Sequence, residues 1–443
     1  MSAAAPASTA WTDRFTAVGS RLPGNDRVRG LREAAMADLA STGFPTQRHE
    51  AWLYTSLAPL LETTFEPAAE LGPETLERAA AMLATLPQAD ERSGRVVFVN
   101  GRLAPSLSHT DDVPTGLEIV GLAAALEAND PDLQARIGSL VDGRGHALAA
   151  LNTALFEDGL LLRVRRGTRV AAPLHVVFLA VGGGAATAVH PRLVYLLEED
   201  AQAAVVEWWR GEAEAGWLSN AAVEAWIGAN AHLDLLEVQE QALETLHFRS
   251  LQVRQAPDSR FTAASLSIGA RLARNDVRVR LEGRGAECRL DGLTLVQGDQ
   301  HTDHQTYIDH AEPHGTSHQL YKGVLDDRAR AVFSGRVLVE PGAQKTDARQ
   351  ANHNILLSPD AVADAKPQLE IFADDVKCAH GATVGQLDEE ALFYLRSRGI
   401  GPRAARRLLL HAFASEIAER MSHPGLALVT KAILERHLPG DEA

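Results

Sequence analysis

"NDVRVRLEGRG", residues 275–285, places Val277, Val279 and Leu281 on one parity and Arg278 and Arg280 on the other, then runs into glycine. Successive side chains of a strand point to opposite faces of a sheet, so the segment reads as a strand with one apolar and one polar face. Comparable runs recur around it from about 160 to 384: "LLRVRRG", "RLVYLLEED", "AAVVEWWRG", "AHLDLLEVQ" and "ARAVFSGRVLVEPG", punctuated by Gly, Asn, Asp or Pro. A region this long built from short strands is compatible with a double-sheet sandwich, a barrel or a parallel β-solenoid. No strict repeat period stands out, so periodicity leaves the choice open.

Helices flank this region. "RVRGLREAAMADLASTG" and "PETLERAAAMLATL" are rich in Ala, Leu and Glu, and Pro73 suits a first helical turn. "GHALAALNTALFEDG" is expected to be a third helix closed by Gly159, and "RVVFVNGR" the one short strand among them. Beyond 385, Asp388 is a natural N-cap, Glu389 and Glu390 fall in the positive first turn, Leu387 can staple onto Leu392, and Gly399 closes the helix. Pro402 opens the next helix, with Ala405, Leu408, Leu409, Ala412, Phe413 and Ile417 as its expected apolar stripe. The reading is a helical region over 1–157, a β-rich core over 158–385 and a helical region over 386–443 ending in an αα-hairpin. That hairpin is expected to bury a surface largely separate from the core.

The chain has 443 residues, a formal net charge of −15 and 45% hydrophobic residues, which speaks for a globular protein and against a general nucleic-acid binder with a basic face. "MSAAAPASTAWTDRF" has neither the basic nor the apolar segment of an export signal, and no apolar run approaches the roughly 20 residues that span a bilayer. A cytoplasmic protein without a membrane role is expected. Two cysteines, Cys288 and Cys378, cannot make a disulfide framework.

Several motifs invite chemistry. His301, His304, His310, His314 and His318 crowd into "HTDHQTYIDHAEPHGTSHQ", yet their spacing matches no compact metal signature, and histidines on sheet strands are often hydrogen-bonded or solvated. "PGAQKTDA" has Gln344 where a phosphate loop needs glycine before Lys345, so no intrinsic nucleotide site is expected. In "DDVKCAHGATVG", Cys378 and His380 share a parity, with Cα atoms about 6 to 7 Å apart if the segment is extended. Three readings stand: a nucleophile with its base, which needs an orienting carboxylate and an oxyanion hole; half of a metal site completed by a second chain; or a buried thiol beside a histidine. Asp374 lies on the parity of the pair and Asp375 on the other, which decides nothing.

Four longer motifs add a resemblance: "GFPTQRHEAWLYTSL" at 43–57, "DHQTYIDHAEPHGTSHQLYKG" at 303–323, "VFSGRVLVEPGAQKTDARQANHNILLS" at 332–358 and "KPQLEIFADDVKCAHGATVGQLDEEALFYLRSRGI" at 366–400. Over nearly its whole length the chain resembles the SufD branch of the SufB/SufD family, scaffolds of SUF iron-sulfur cluster assembly. The resemblance implies a right-handed parallel β-helix between helical N-terminal and C-terminal regions. It implies a SufB-like partner on the β-helix and a SufC-like ABC-type ATPase on the C-terminal helices, with ATP hydrolysed by that partner and this chain non-catalytic. It further implies a nascent iron-sulfur cluster at the SufB–SufD interface, with His380 as iron ligand and Cys378 in a secondary role. A reduced flavin in the complex and a homodimer of the chain alone remain open. The competing expectations are a stand-alone β-helix enzyme using Cys378 and His380, and a purely structural partner of the ATPase.

Overall fold

The computed structural model describes residues 7–87, 93–111, 113–212 and 215–438. Its core is a parallel β-solenoid, which settles the choice that periodicity leaves open. From Arg192–Leu197 onward the chain alternates between two sheets, and each strand pairs in parallel with the strand two further along. One sheet ends on Arg330–Val339 and Val362–Ile371, the other on Asp347–Leu356 and Lys377–Gly385. The repeat is irregular: Leu246 pairs with Leu272, 26 positions on, whereas Arg330 pairs with Val362, 32 positions on. Turn length absorbs the difference while the strands stay in register, so the sequence shows no fixed period.

The turns explain the Asn and Asp punctuation. Asp200, Asn230 and Asp258 all adopt left-handed backbone, which these short polar side chains tolerate better than most. Asn230 Nδ2 also donates to Asp200 Oδ1 at 2.6 Å, stitching one turn to the next. Between the turns, Val277, Val279 and Leu281 are buried in the lumen with Phe261, Ile308 and Val337. Each such side chain contributes about 1.5–3 kcal/mol by leaving water.

The lumen also holds charge. Glu207 accepts from Tyr195 Oη at 2.8 Å and from Arg249 Nε at 2.9 Å, and Glu237 accepts from Ser265 Oγ at 2.8 Å. Burial works against the Glu237 carboxylate, but Arg249, His247 and Ser265 outweigh it and hold it down to about 2. A buried carboxylate is tolerated only with such partners.

At the N-terminal end both sheets are finished by antiparallel strands, Leu117–Gly121 on Gly159–Val164 and Arg102–Leu103 on Arg95–Val99. The N-terminal region thus holds more than the one expected strand. Nor does Gly159 close a helix. The helix Ala147–Leu155 stops at Phe156, and Gly159 opens a strand with φ +156°, where a Cβ would lie 1.8 Å from the Arg192 carbonyl oxygen. The preceding Asp158 accepts from the backbone N–H groups of Leu103 and Ala123, which pulls the chain out of the helix.

The C-terminal region corrects three further expectations. It contains three helices, Glu389–Ser397, Pro402–Glu419 and Pro424–His437, rather than a hairpin of two. Asp388 caps the first of them, accepting from Glu390 and Ala391. The buried face of the second runs through Ala405, Leu410, Ala414, Ile417 and Ala418, so Leu408 and Ala412 point to solvent. Nor is the helical surface separate from the core: Leu410, Ile417, Leu426 and Ile433 form one apolar cluster with Leu236, Leu266, Leu293 and Leu320 on the outside of the sheet. The docking is pinned by Lys322 Nζ donating to Phe413 O at 2.8 Å and by Arg420 Nε donating to Asp291 at 3.0 Å.

One buried ion pair ties the N-terminal region to the solenoid. Arg192 and Glu224 are both fully buried, and the Glu224 carboxylate also accepts from the backbone N–H groups of Gly138, Leu140 and Val141. Removing one member of such a pair strands the other without water. Arg192→Ala is expected to destabilise the protein by about 3–5 kcal/mol, read as a lowered midpoint in guanidinium unfolding; an unchanged midpoint would contradict this anchoring role.

Candidate functional site

Cys378 and His380 lie on Lys377–Gly385, the last strand of its sheet. Strand alternation turns both toward the lumen, as the shared parity implied, but their depths differ. Cys378 is half-buried against the lumenal core, whereas His380 is exposed because no further turn covers it. Among the described residues the strand pairs on one side only, with Asp347–Leu356, and its other edge is left unpaired. Val362–Ile371, the last strand of the opposite sheet, is likewise paired on one side, and Ile371, Phe372 and Val384 are exposed near this end.

The electrostatics weaken the nucleophile reading. Burial pushes the Cys378 thiol up, the N–H of Ala348 opposes that, and the Asp347 carboxylate reinforces it, so the thiol stays protonated near neutral pH. The orienting carboxylate is missing as well. Residues 374–376 form the turn before the strand, and Asp375 is engaged with Lys345. Among the described residues no carboxylate pairs with His380. Cys288 is no partner for Cys378 either: it stands in the same lumenal column, three strands down through Ala348 and Ser317. That separation is about 14 Å at the spacing of paired strands, far beyond disulfide reach.

The five histidines of 301–318 are dispersed rather than convergent. His304 and His310 face the lumen, where His304 Nε2 lies 3.3 Å from Thr294 Oγ1 and His310 Nε2 lies 2.8 Å from Ser317 Oγ. His301 faces outward, 3.0 Å from Thr55 Oγ1. His314 occupies a left-handed turn beside Arg284, and His318 is on the next strand. Burial lowers the pKa of His301, His304 and His318, and takes His310 down to about 4, which keeps these rings neutral. Among the described residues no group of three or more His, Cys, Asp or Glu side chains is placed to hold a metal.

Sequence reasoning missed the contact that explains the 43–57 motif. The segment lies as a strap along the outside of one sheet. Trp52 stacks on Arg274 with 3.7 Å from guanidinium carbon to ring centroid, and Thr55 Oγ1 and Arg274 both donate to Asp303 at 2.6 Å. Glu50, midway along the segment, pairs with Lys366 on the last strand of that sheet. The strap therefore secures the solenoid next to its open end. An outward Arg and Asp at paired positions 29 apart could have signalled it only once the strand register was known.

The site thus offers one exposed imidazole and one half-buried thiol on the bare terminal turn. Both are donors for iron, and they fall short of the four ligands an iron-sulfur cluster commonly takes from protein. Cluster as cargo would need further donors from a second chain.

Comparison with known proteins gives the lineage. Residues 179–413 match the family "SUF system FeS cluster assembly, SufBD core domain", and residues 23–176 match "SufBD protein N-terminal region". The chain is 32% identical over 408 residues to the iron-sulfur cluster assembly protein SufD of Escherichia coli, covering 91% of this chain and 92% of that one. It is 33% identical over 398 residues to an iron-sulfur cluster assembly SufBD family protein of Synechocystis, covering 88% and 86%. A chloroplastic ABCI7 protein of Arabidopsis thaliana is 29% identical over 403 residues, covering 89% and 82%. With a β-solenoid core between helical regions and both family regions in sequence order, the chain belongs to the SufBD family of iron-sulfur cluster assembly proteins, as a homologue of SufD.

Proposed function

We propose that this protein is a non-catalytic scaffold in a complex with a SufB-like chain and a SufC-like ATPase, acting in the cytoplasm. There it supplies His380 as an iron ligand to a cluster built at the joint with the SufB-like chain. The observation that carries this reading is the placement of an exposed lumenal imidazole on the solenoid end where, among the described residues, both sheets stop on long parallel strands paired on one side. Unpaired strand edges are templates for another chain. A partner that extends these sheets would bring its own donors to the mouth of the lumen, completing a ligand set that this chain begins. Cys378, deeper and packed against the lumenal core, is assigned a packing role with at most an auxiliary part in cluster handling.

No feature favours a stand-alone Cys/His enzyme, since the thiol is not activated and the histidine has no orienting carboxylate among the described residues. ATP hydrolysis falls to the ATPase partner, which we place on the C-terminal helices. Phe393, Tyr394 and Leu408 support that placement: they are 73%, 57% and 50% exposed on Glu389–Ser397 and Pro402–Glu419, the second of which is anchored to the core.

The ligand assignment is tested on complexes purified anaerobically and supplied with iron and sulfide. His380→Ala is expected to leave folding and complex assembly intact and to reduce cluster absorbance and bound iron by about tenfold or more. Cys378→Ala is expected to be milder, because alanine still fills the lumen with a small apolar group. Full cluster assembly by the His380 variant would remove the ligand role, and a defect confined to the Cys378 variant would return the case to cysteine chemistry.

ATPase docking has its own test. Deleting everything after 385 would strip the apolar outer face of a sheet, so a surface substitution is the cleaner probe. Phe393→Ala is expected to weaken ATPase binding by about tenfold or more, as loss of an aromatic anchor does, with an unchanged unfolding midpoint. Undiminished binding by this variant and by Leu408→Ala would place the ATPase elsewhere.

A further inference from the structure

Beneath His380 the lumen carries an amide side chain in each of two successive layers. Its column descends from His380 to Gln350, then Gln319, then Leu290. The facing column on the other sheet runs Pro367, Gly335, Thr306. Two layers down, the polar groups find each other: Thr306 Oγ1 donates to Gln319 Oε1 at 2.7 Å. One layer down they do not. Gln350 is 3% exposed, and neither its Oε1 nor its Nε2 has a hydrogen-bond partner among the described residues.

A buried amide left without partners costs about 1–3 kcal/mol, so a site that keeps one has a use for it or is misbuilt. This one has room made for it. A Cβ on Gly335 would lie 2.0 Å from Gln350 Nε2 and 2.7 Å from its amide carbon. Gly335 has no left-handed backbone to account for the glycine, so the missing side chain serves the space across the lumen that the Gln350 amide fills. Gln350 and His380 are register partners on adjacent parallel strands and share the lumenal face, which stacks them about 4.8 Å apart at the backbone.

We propose that Gln350 is a positioning residue for His380: when the exposed ring turns down onto the unpartnered amide of its register neighbour, the Gln350 oxygen accepts from one imidazole N–H, fixing the tautomer that leaves the other ring nitrogen free to bind iron. Metal-binding histidines regularly donate their second N–H to an oxygen acceptor. Here the acceptor comes from the turn below, and Gly335 holds the space open for it. The proposal deepens the ligand assignment made above and rests on it for its purpose.

The test uses the full chain with nitrogen-15 histidine and long-range proton–nitrogen correlation spectra. His380→Ala identifies the ring signals. In the wild-type chain, His380 is expected to show one predominant tautomer. Gln350→Leu, which keeps bulk and removes the acceptor, should shift it to the mixture of an imidazole in water. Gly335→Ala should do the same by displacing the amide, and Gln350→Glu, which keeps an acceptor, should retain the single tautomer. In the anaerobic complex supplied with iron and sulfide, Gln350→Leu should form about tenfold less cluster. If Gln350→Leu and Gly335→Ala leave the tautomer ratio at its wild-type value, the positioning role is overturned, whatever His380→Ala does. If the ratio shifts while His380→Ala assembles clusters normally, the positioning contact stands and the ligand role falls.

Discussion

A parallel solenoid cannot satisfy its own ends. Every interior strand exchanges backbone hydrogen bonds with the turn above and the turn below, but the first and last turns each have one side without a partner. This chain treats its two ends differently. At the N-terminal end short strands, Leu117–Gly121 and Arg102–Leu103, fold back antiparallel. At the other end, among the described residues, the long parallel strands Val362–Ile371 and Lys377–Gly385 are left with bare edges, flanked by exposed Ile371, Phe372 and Val384. The asymmetry sets an end turned back on itself against an end that invites another sheet.

Around that bare end the rest of the structure reads as reinforcement. The strap from 43 to 57 grips the outside of one sheet through Trp52, Thr55 and Arg274 and reaches Lys366 on its terminal strand. The C-terminal helices grip the outside of the other sheet through Lys322, Arg420 and a shared apolar cluster. Both sheets are thus braced from outside, the first as far as its terminal strand and the second along its middle strands. Precise placement of a ligand demands a rigid support, because a small displacement of a donor atom loses much of its binding. Phe393 on Glu389–Ser397 and Leu408 on Pro402–Glu419 face outward from these helices.

The sequence made the strands legible and the stacking illegible. Val277, Val279 and Leu281 alternate with Arg278 and Arg280 as a half-buried strand must, and the structure buries the first set. Leu117–Gly121 escaped notice because its apolar residues run directly into the helix Leu122–Glu127, where alternation gives way to a helical pattern without a break. The stripe on Pro402–Glu419 was found but mis-phased, since Leu408 and Leu410 are equally apolar and only the docked sheet selects between them. The same limit applies to the site. Cys378 and His380 are adjacent enough to be seen as a pair, and the family motif carries them. Gln350 sits 30 positions before His380, in a solenoid whose repeat wanders, so nothing short of the register brings the two together.

The central claim is that a histidine of this chain reaches the iron of a cluster that another chain helps to hold. Pulsed electron paramagnetic resonance on the reduced, cluster-loaded complex tests it most directly, with nitrogen-15 histidine incorporated in this chain alone. The account expects a nitrogen-15 hyperfine coupling of the size given by a directly bound imidazole, lost when His380 is replaced by alanine. A cluster formed in full amount with no such coupling would contradict it.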